Sequence, residues 1–556
     1  MAKSYTVSGS GIATQQSLAT HQERPAETTA AVGNAPETGR ARKGFLTNVG
    51  ANVVFVGAQV LVNLWLTPFL IGHLGIAAFG MIQLVITVVS YMSILTTALD
   101  SALSRFVAID LGRWDVSAAN KTFNSALFGL LGIIAALSPV IIILSLYFSA
   151  IFGISPGWER DSSWLFLLIA SSFLITVLGG CFSVSCLVHS RFLFINLVNL
   201  LGILARVGLI LALYTMLPGR LWYVGGASLC AAVVVLTGFV YLWRRLTPEL
   251  HIRLADLNRV RLGAMANMGS WVMVNMVGAA LLGRVDLLVV NAFFGSAVTG
   301  GYASVAQFSI FMEYLVNAAS TVIRPIILIK YAQEDWAGLQ QLAAQSVKLL
   351  GLALGLPVGL LCGFAPSLLT VWLGPSYAYL AVLLIIIIFH HALNLSVRPL
   401  LHVQNAYNKV RWPGIATLLS GLANLGLAIL LARWGGWAAV GVAVATAIAW
   451  TAKNGIYMPI YTAHAMNLRW WTFMPHLIAS MAGTALAWGL AYGFTLVRMP
   501  DSWLTLGASA AAVSFVYILA IWAWGLNGDD RALLQALIPF QITVNPPSLS
   551  ITSRKG

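Results

Sequence analysis

The sequence predicts an all-α membrane protein of about fourteen transmembrane helices, and three observations carry that reading. Hydrophobic residues make up 59% of the 556 and charged residues only 9%, against about 25% charged in an ordinary soluble domain. Mean hydropathy is +0.85. The apolar runs are long and do not alternate with polar residues, so they read as helices rather than strands. A bilayer core about 30 Å thick takes roughly 20 apolar residues per helix. Within it every backbone N–H and C=O must be satisfied inside the protein.

The runs place spans at 45–71, 77–101, 122–150, 164–190, 194–216, 222–243, 266–293, 297–326, 346–372, 377–400, 413–433, 437–461, 474–497 and 503–526. Residues 1–43 are polar without an apolar face and are expected to form a disordered cytoplasmic tail. No apolar segment of signal-peptide type lies near Met1, so the first span is expected to double as the targeting signal. The organisation is then an N-terminal lobe over 44–243, a cytoplasmic linker over 244–265, a C-terminal lobe over 266–461, two further helices over 462–526 and a cytoplasmic tail over 527–556.

Orientation follows from the basic residues. With the N-terminus inside, the inner segments hold 25 of the 31 lysines and arginines, the outer loops 4 and the spans 2. Positive loops stay in the cytoplasm, which puts both termini there. The net charge of +14 is mostly this bias, with attraction to anionic headgroups added. No folded basic face of the kind nucleic acid needs is visible.

The halves overlay. A shift of 219 places Asn48 and Gly50 on Asn267 and Gly269, and Ser101 and Arg105 on Ser320 and Arg324. Six helices per copy make the repeats parallel, and transporters so built bind substrate between their halves.

No phosphate-cradling loop, zinc motif or nucleophile elbow occurs, so no enzyme chemistry, metal or cofactor is expected. Cys181, Cys186, Cys230 and Cys362 lie in apolar runs and read as small core residues. The informative side chains are polar ones at membrane depth, where a charge costs about 2.5–3.5 kcal/mol on insertion scales and so faces an interior or a cavity. Helix 1 carries Asn48, Asn52, Gln59 and Asn63 on one face, suited to cavity lining or to interhelical hydrogen bonds. Helix 7 carries Arg284 and Asp286, an anion contact and an ion-coupling candidate, or else structural ion pairs. Helix 8 carries Glu313, Asn317, Ser320 and Arg324 as one stripe, and an acid as deep as Glu313 suits proton coupling or a structural partnership with Arg284. Arg206 stands in an otherwise apolar helix 5 and needs an anion or a wet cavity. Helix 10 carries His390 and then His391, Asn394 and Arg398 on one face, a gate or secondary contact, and Arg398 and Lys453 also suit snorkelling to the interface. Asp100 and Arg105 end helix 2, where Arg105 and Arg324 would flank the cytoplasmic mouth symmetrically. Arginine matches phosphate oxygens in pairs.

Gln83-Leu-Val-Ile-Thr87 with Tyr91, Leu103-Ser-Arg-Phe-Val107, Asn120-Lys-Thr-Phe-Asn124 and Gly283-Arg-Val-Asp286 resemble lipid-linked oligosaccharide flippases of bacterial polysaccharide synthesis, the Wzx type. These belong to the multidrug/oligosaccharidyl-lipid/polysaccharide exporter superfamily. The resemblance covers roughly 44–526. It implies alternating access between two six-helix lobes in the bacterial inner membrane. It implies a substrate of oligosaccharide on undecaprenyl diphosphate, carried to the outer leaflet for exopolysaccharide or O-antigen synthesis. A coupling proton or sodium ion and a polysaccharide polymerase or co-polymerase as partner are expected with it. On that reading Arg206, Arg284, Arg324, Arg105, Asn48, Asn52, Asn63 and Asn317 contact diphosphate or sugar. Asp286 and Glu313 couple the ion, and Asp100, His391 and Arg398 gate.

Two rivals remain open. A cation-coupled multidrug or metabolite antiporter of the same superfamily wants a net acidic, aromatic cavity. A non-transporting scaffold for glycan-assembly enzymes makes cavity variants silent and the tails decisive.

Overall fold

The computed structural model describes residues 36–154, 157–433 and 435–537. By compactness Met1–Thr47 separates from a unit over Asn48–Gly556, and the contacts below belong to the second. The helices of the first half are α1 (Pro36–Leu74), α2 (Ile76–Gly112), α3 (Val116–Phe152), α4 (Glu159–Val188), α5 (Phe192–Met216) and α6 (Trp222–Leu246). The second half runs through α7 (Arg259–Gly283), α8 (Val285–Ala332), α9 (Trp336–Gly363), α10 (Ala365–Trp372), α11 (Ala381–Phe389), α12 (His391–Ser396), α13 (Arg398–Ala406), α14 (Arg411–Arg433), α15 (Ala438–Trp450) and α16 (Met458–Ala465). Then come α17 (Met474–Val497), α18 (Trp503–Ala520) and α19 (Gly528–Leu537). Among the described residues no strand occurs, and 13 segments are long and apolar enough to cross a membrane.

Several expected boundaries move, three of them at irregular backbone. The span expected at 266–293 is interrupted: α7 stops at Gly283, and Arg284 leaves the helical region (φ −132°, ψ −10°). The gap expected between 293 and 297 is a kink inside α8 at Gly295 (φ 76°, ψ 179°). The span expected at 377–400 is broken at His390 and Val397 into α11, α12 and α13. The expected disordered tail over 1–43 overlaps α1, helical from Pro36, while 1–35 lie outside the described residues. The expected polar tail over 527–556 contains α19, whose Asp530 meets Lys348 of α9 at 2.6 Å.

The internal repeat is visible as a repeat of turns. Gly75 (φ 84°) and Gly295 (φ 76°) differ by 220 positions, and so do the corners Trp114 (φ 60°) and Glu334 (φ 56°). Each corner is followed by an aspartate that caps the next helix. Asp115 accepts from the Ala118 N–H and Asp335 from the Gly338 N–H, both at 2.8 Å. These side chains satisfy donors that a helix start leaves without partners. Turns spaced by 220 at both ends of α2 and α8 fix the register between them at 220, not the 219 read from matched residues. Arg105 and Arg324 are therefore one residue out of step, about 100° around the helix. Both are exposed.

At the end that carries the α1–α2 turn the halves meet closely. A Cβ on Gly80 would run into the Ser296 carbonyl oxygen, and one on Gly300 into the Ile76 carbonyl oxygen. Gly80 with Gly300, and Ile76 with Ser296, are again 220 apart. Hydrogen bonds between side chain and backbone reinforce this seam. Asn291 donates to the Phe152 carbonyl at 3.0 Å, and the Trp372 indole N–H donates to the Leu64 carbonyl at 2.7 Å. The second bond has a covalent origin: Pro68 has no N–H to offer the carbonyl four residues earlier, and Trp372 supplies the missing donor.

The linker between halves is held along α3 by side-chain amides. Asn120 donates to the Glu249 carbonyl at 3.0 Å and accepts from the His251 N–H at 2.8 Å. Asn124 repeats the pattern with the His251 carbonyl at 2.8 Å and the Arg253 N–H at 2.9 Å. Arg261 at the start of α7 then pairs with Asp110 of α2 at 2.6 Å and also donates to Thr122 of α3.

Candidate functional site

A cavity of about 330 Å³ opens between α2, α7, α8, α12, α13, α14 and the helix that continues α15. Its charged lining residues are Arg284, Glu313, Arg398 and Lys453, three cations against one carboxylate. Amides and hydroxyls fill the gaps between them: Asn275, Asn394, Asn454, Ser90, Ser93 and Thr417. Among the described residues, Glu313 makes no ion pair within 4 Å with the three cations, and the Arg398 Nε is buried without a hydrogen-bond partner.

The break in the helix at Arg284 builds one wall. Where α7 stops, the Leu281 and Leu282 carbonyls lose their helical acceptor role. Asn424 of α14 donates to both, at 3.4 and 3.3 Å, and the Trp450 indole N–H donates to Leu282 at 3.0 Å. Irregular backbone at membrane depth is tolerated where it is satisfied by protein or lines a cavity, and here both hold. The break turns the Arg284 side chain into the cavity and leaves it exposed there.

Two residues on, Asp286 is buried behind that wall. Its carboxylate accepts from the Tyr302 hydroxyl at 2.7 Å, from Thr446 at 2.8 Å to each oxygen, and from Asn424 at 3.4 Å. Among the described residues Arg284 and Asp286 form no ion pair with each other.

The opposite wall depends on another irregularity. The helix of α15 continues as a π-helix over Thr451–Tyr457, a rare form that is frequent at functional sites. Trp450, Lys453, Asn454 and Met458 share the face turned to the cavity. His391 stacks on Trp450, with ring centroids 5.8 Å apart. Asn394 contacts His390 at 3.0 Å and donates to Thr451 at 3.1 Å.

Of the residues singled out in the sequence, the structure gathers Arg284, Glu313 and Arg398 around one cavity, with Asp286 and His391 packed behind its walls. Arg206 is not in the lining. It lies on α5, and its Nε is buried with no hydrogen-bond partner. Asn52 and Asn317 are exposed and Asn63 half-buried, none of them in the cavity wall. Arg105 and Arg324 also lie outside it. The side chains of Asn48 and Asp100 lie outside the described residues. Asn424, Thr446, Tyr302 and Asn454 were not singled out, because none of them carries a charge that stands out in its span. Lys453 was read only as a snorkelling lysine. The one signal available was Asn424, an amide inside an otherwise apolar span. Among the described residues no group of three or more His, Cys, Asp and Glu could hold a metal ion.

No protein-family model matches the chain. Over 495 residues it is 29% identical to EpsK of Bacillus subtilis (strain 168), described as an uncharacterized membrane protein, covering 88% of this chain and 97% of that one. Two solved structures superpose over most of the chain. One is a multidrug resistance MATE family transporter of the MOP superfamily in its inward-facing conformation, with TM-score 0.61 and 14% identity, covering 75% of this chain and 99% of the other. The second is the lipid II flippase MurJ in an inward closed conformation, with TM-score 0.62 and 13% identity, covering 87% and 100%. The fold is that of these transporters. A multi-pass membrane protein with a transporter fold and a polar cavity between its helices is thus established. One of the two is a multidrug resistance transporter and the other a lipid II flippase, so the substrate must be argued from the cavity's own charge.

Proposed function

We propose that the chain is a flippase that moves oligosaccharide linked to undecaprenyl diphosphate from the cytoplasmic to the outer leaflet of a bacterial inner membrane. The observation that carries this is the lining charge of the cavity: Arg284, Arg398 and Lys453 against Glu313. A diphosphate compensates such an excess, and guanidinium groups meet its oxygens in pairs. A lipophilic cation would add to the excess. The amides and hydroxyls between the cations suit sugar hydroxyls. The likeness to the lipid II flippase supports the same class of cargo.

In this reading Arg105 and Arg324 attract the headgroup at the mouth, and Arg284, Arg398 and Lys453 hold the diphosphate. The isoprenoid tail stays in lipid alongside the bundle. Glu313 and Asp286 are the candidate sites for a coupling proton or sodium ion, and His391 supports the gate through Trp450. Both termini face the cytoplasm, and a polysaccharide polymerase or co-polymerase receives the product.

The test is a competition between substrate classes. Thermal shift of the detergent-solubilised protein is measured with a polyisoprenyl diphosphate saccharide and with a lipophilic cation such as ethidium. Stabilisation by the diphosphate alone, reduced in Arg398→Gln, supports the proposal. Stabilisation by the cation alone assigns the cavity to a multidrug or metabolite antiporter. A response to neither, with export from cells unchanged in Arg398→Gln, leaves the scaffold reading.

A further inference from the structure

A second cavity, of about 510 Å³, lies between α5 and α6 and shares no lining residue with the first. Its composition is polarised. Arg191 and Arg245 stand at one end, and Phe194, Leu197, Leu201 and Tyr241 run along it. Both walls are apolar helices long enough to cross a membrane. Leu197, Leu201 and Tyr241 are exposed at 48%, 49% and 60%, so the groove opens sideways, toward the bilayer.

The packing explains why a groove exists there. At Gly238 the two helices touch: a Cβ would come within 2.9 Å of Val198. Toward the arginines the lining side chains, Phe194, Leu242 and Leu246, are larger. Arg245 is aimed by a hydrogen bond to the Tyr241 hydroxyl at 3.2 Å. Arg191 is the N-cap of α5, and no side-chain cap closes that helix start. Free N–H groups of a first helical turn favour an anion, and two guanidinium groups beside them add charge and bidentate geometry. Among the described residues no acidic one lines the groove.

We propose that this groove binds one anionic phospholipid from the surrounding leaflet. Its phosphate sits between Arg191 and Arg245, and one acyl chain lies along Phe194, Leu197 and Leu201. The site is independent of the cavity at Arg284. Charge complementarity selects the occupant: a zwitterionic lipid brings its own cation to the arginines, whereas phosphatidylglycerol does not. Basic pockets between transmembrane helices on the side that carries the basic loops suit anionic headgroups.

The experiment is native mass spectrometry of the full chain in mild detergent, incubated with phosphatidylglycerol or with phosphatidylcholine of the same chain length. One phosphatidylglycerol retained in preference to phosphatidylcholine is expected. At about fivefold per basic residue, the double variant Arg191→Gln/Arg245→Gln should lose about 25-fold of that retention. Leu201→Trp fills the groove from an exposed position and should also lose it with both arginines intact. Arg433→Gln, on another helix, should change nothing. Equal retention of both lipids, or retention untouched in both the double variant and Leu201→Trp, would overturn the proposal. So would preferential displacement of phosphatidylglycerol by a polyisoprenyl diphosphate, which would give the groove to a lipid-linked cargo.

Discussion

The first helix pair of each half interrupts its backbone, but the two interruptions do opposite things. In the N-terminal half Pro68 withdraws one donor, α1 continues, and the orphaned Leu64 carbonyl is met by Trp372 from the other half. In the C-terminal half α7 stops outright at Arg284, and Asn424 and Trp450 meet the freed carbonyls from within the same half. The first interruption becomes a joint between halves and the second becomes the wall of a cavity. In the 220-residue register the mates of Arg284, Asp286 and Tyr302 are Leu64, Leu66 and Ile82. A duplicated scaffold thus carries its polar chemistry in one copy and its apolar packing in the other. The shared fold accounts for neither difference, and a handful of side chains accounts for both.

Exchanging residues across the repeat is the sharpest way to break that comparison. Arg284→Leu installs the residue of the other half, and the expected loss of transport is at least about tenfold, in line with a lost charge-assisted contact of about 1.5–3 kcal/mol. Protein level should hold, because Arg284 is exposed in the cavity. Thr446→Val removes the donor that reaches both oxygens of the buried Asp286. About 1–3 kcal/mol of stability should go with it, read as a lower melting temperature in detergent. Trp372→Phe keeps the ring and deletes the N–H, leaving the Leu64 carbonyl without its donor. A cost of about 1 kcal/mol is expected, together with faster disulfide trapping between cysteines placed at Thr67 and Gln307, whose side chains lie 3.3 Å apart across the same seam.

The smallest effect concerns pH at the paired corners. The Lys330 ammonium, with the Gly338 N–H behind it, holds the Asp335 carboxyl below the usual carboxylate range. A group depressed in the folded state stabilises above its unfolded value and loses that contribution as pH falls through the folded one. Melting temperature should therefore drop slightly on acidification below the ordinary carboxylate range, and Asp335→Asn should flatten that part of the profile. The Asp335 side chain is 42% exposed and water screens its pairing with Lys330, so the change should be the weakest of the four.

The fold was legible in the sequence because hydropathy and basic-loop counts act over twenty residues at a time. The cavity was legible only in part. Arg284, Glu313 and Arg398 stood out because a charge in an apolar run is conspicuous wherever it points. Arg206 was equally conspicuous, yet α5 carries it away from the lining, since helical periodicity fixes a face but not the neighbour of that face. Asn424 and Thr446 acquire their role only from Asp286, 138 and 160 positions away from them, just past the helix break. The register slipped by one for a similar reason. Matching Ser101 and Arg105 to Ser320 and Arg324 weighs side chains, whereas the turns at Gly75 and Trp114 set the spacing.

The central claim, that the cationic cavity carries a diphosphate headgroup, is tested most directly in proteoliposomes loaded with a fluorescent polyisoprenyl diphosphate saccharide. The purified protein should move the saccharide between leaflets faster than protein-free vesicles, and Arg284→Gln/Arg398→Gln should return the rate to the protein-free level. A double variant that flips the lipid as fast as the unaltered protein would contradict the claim.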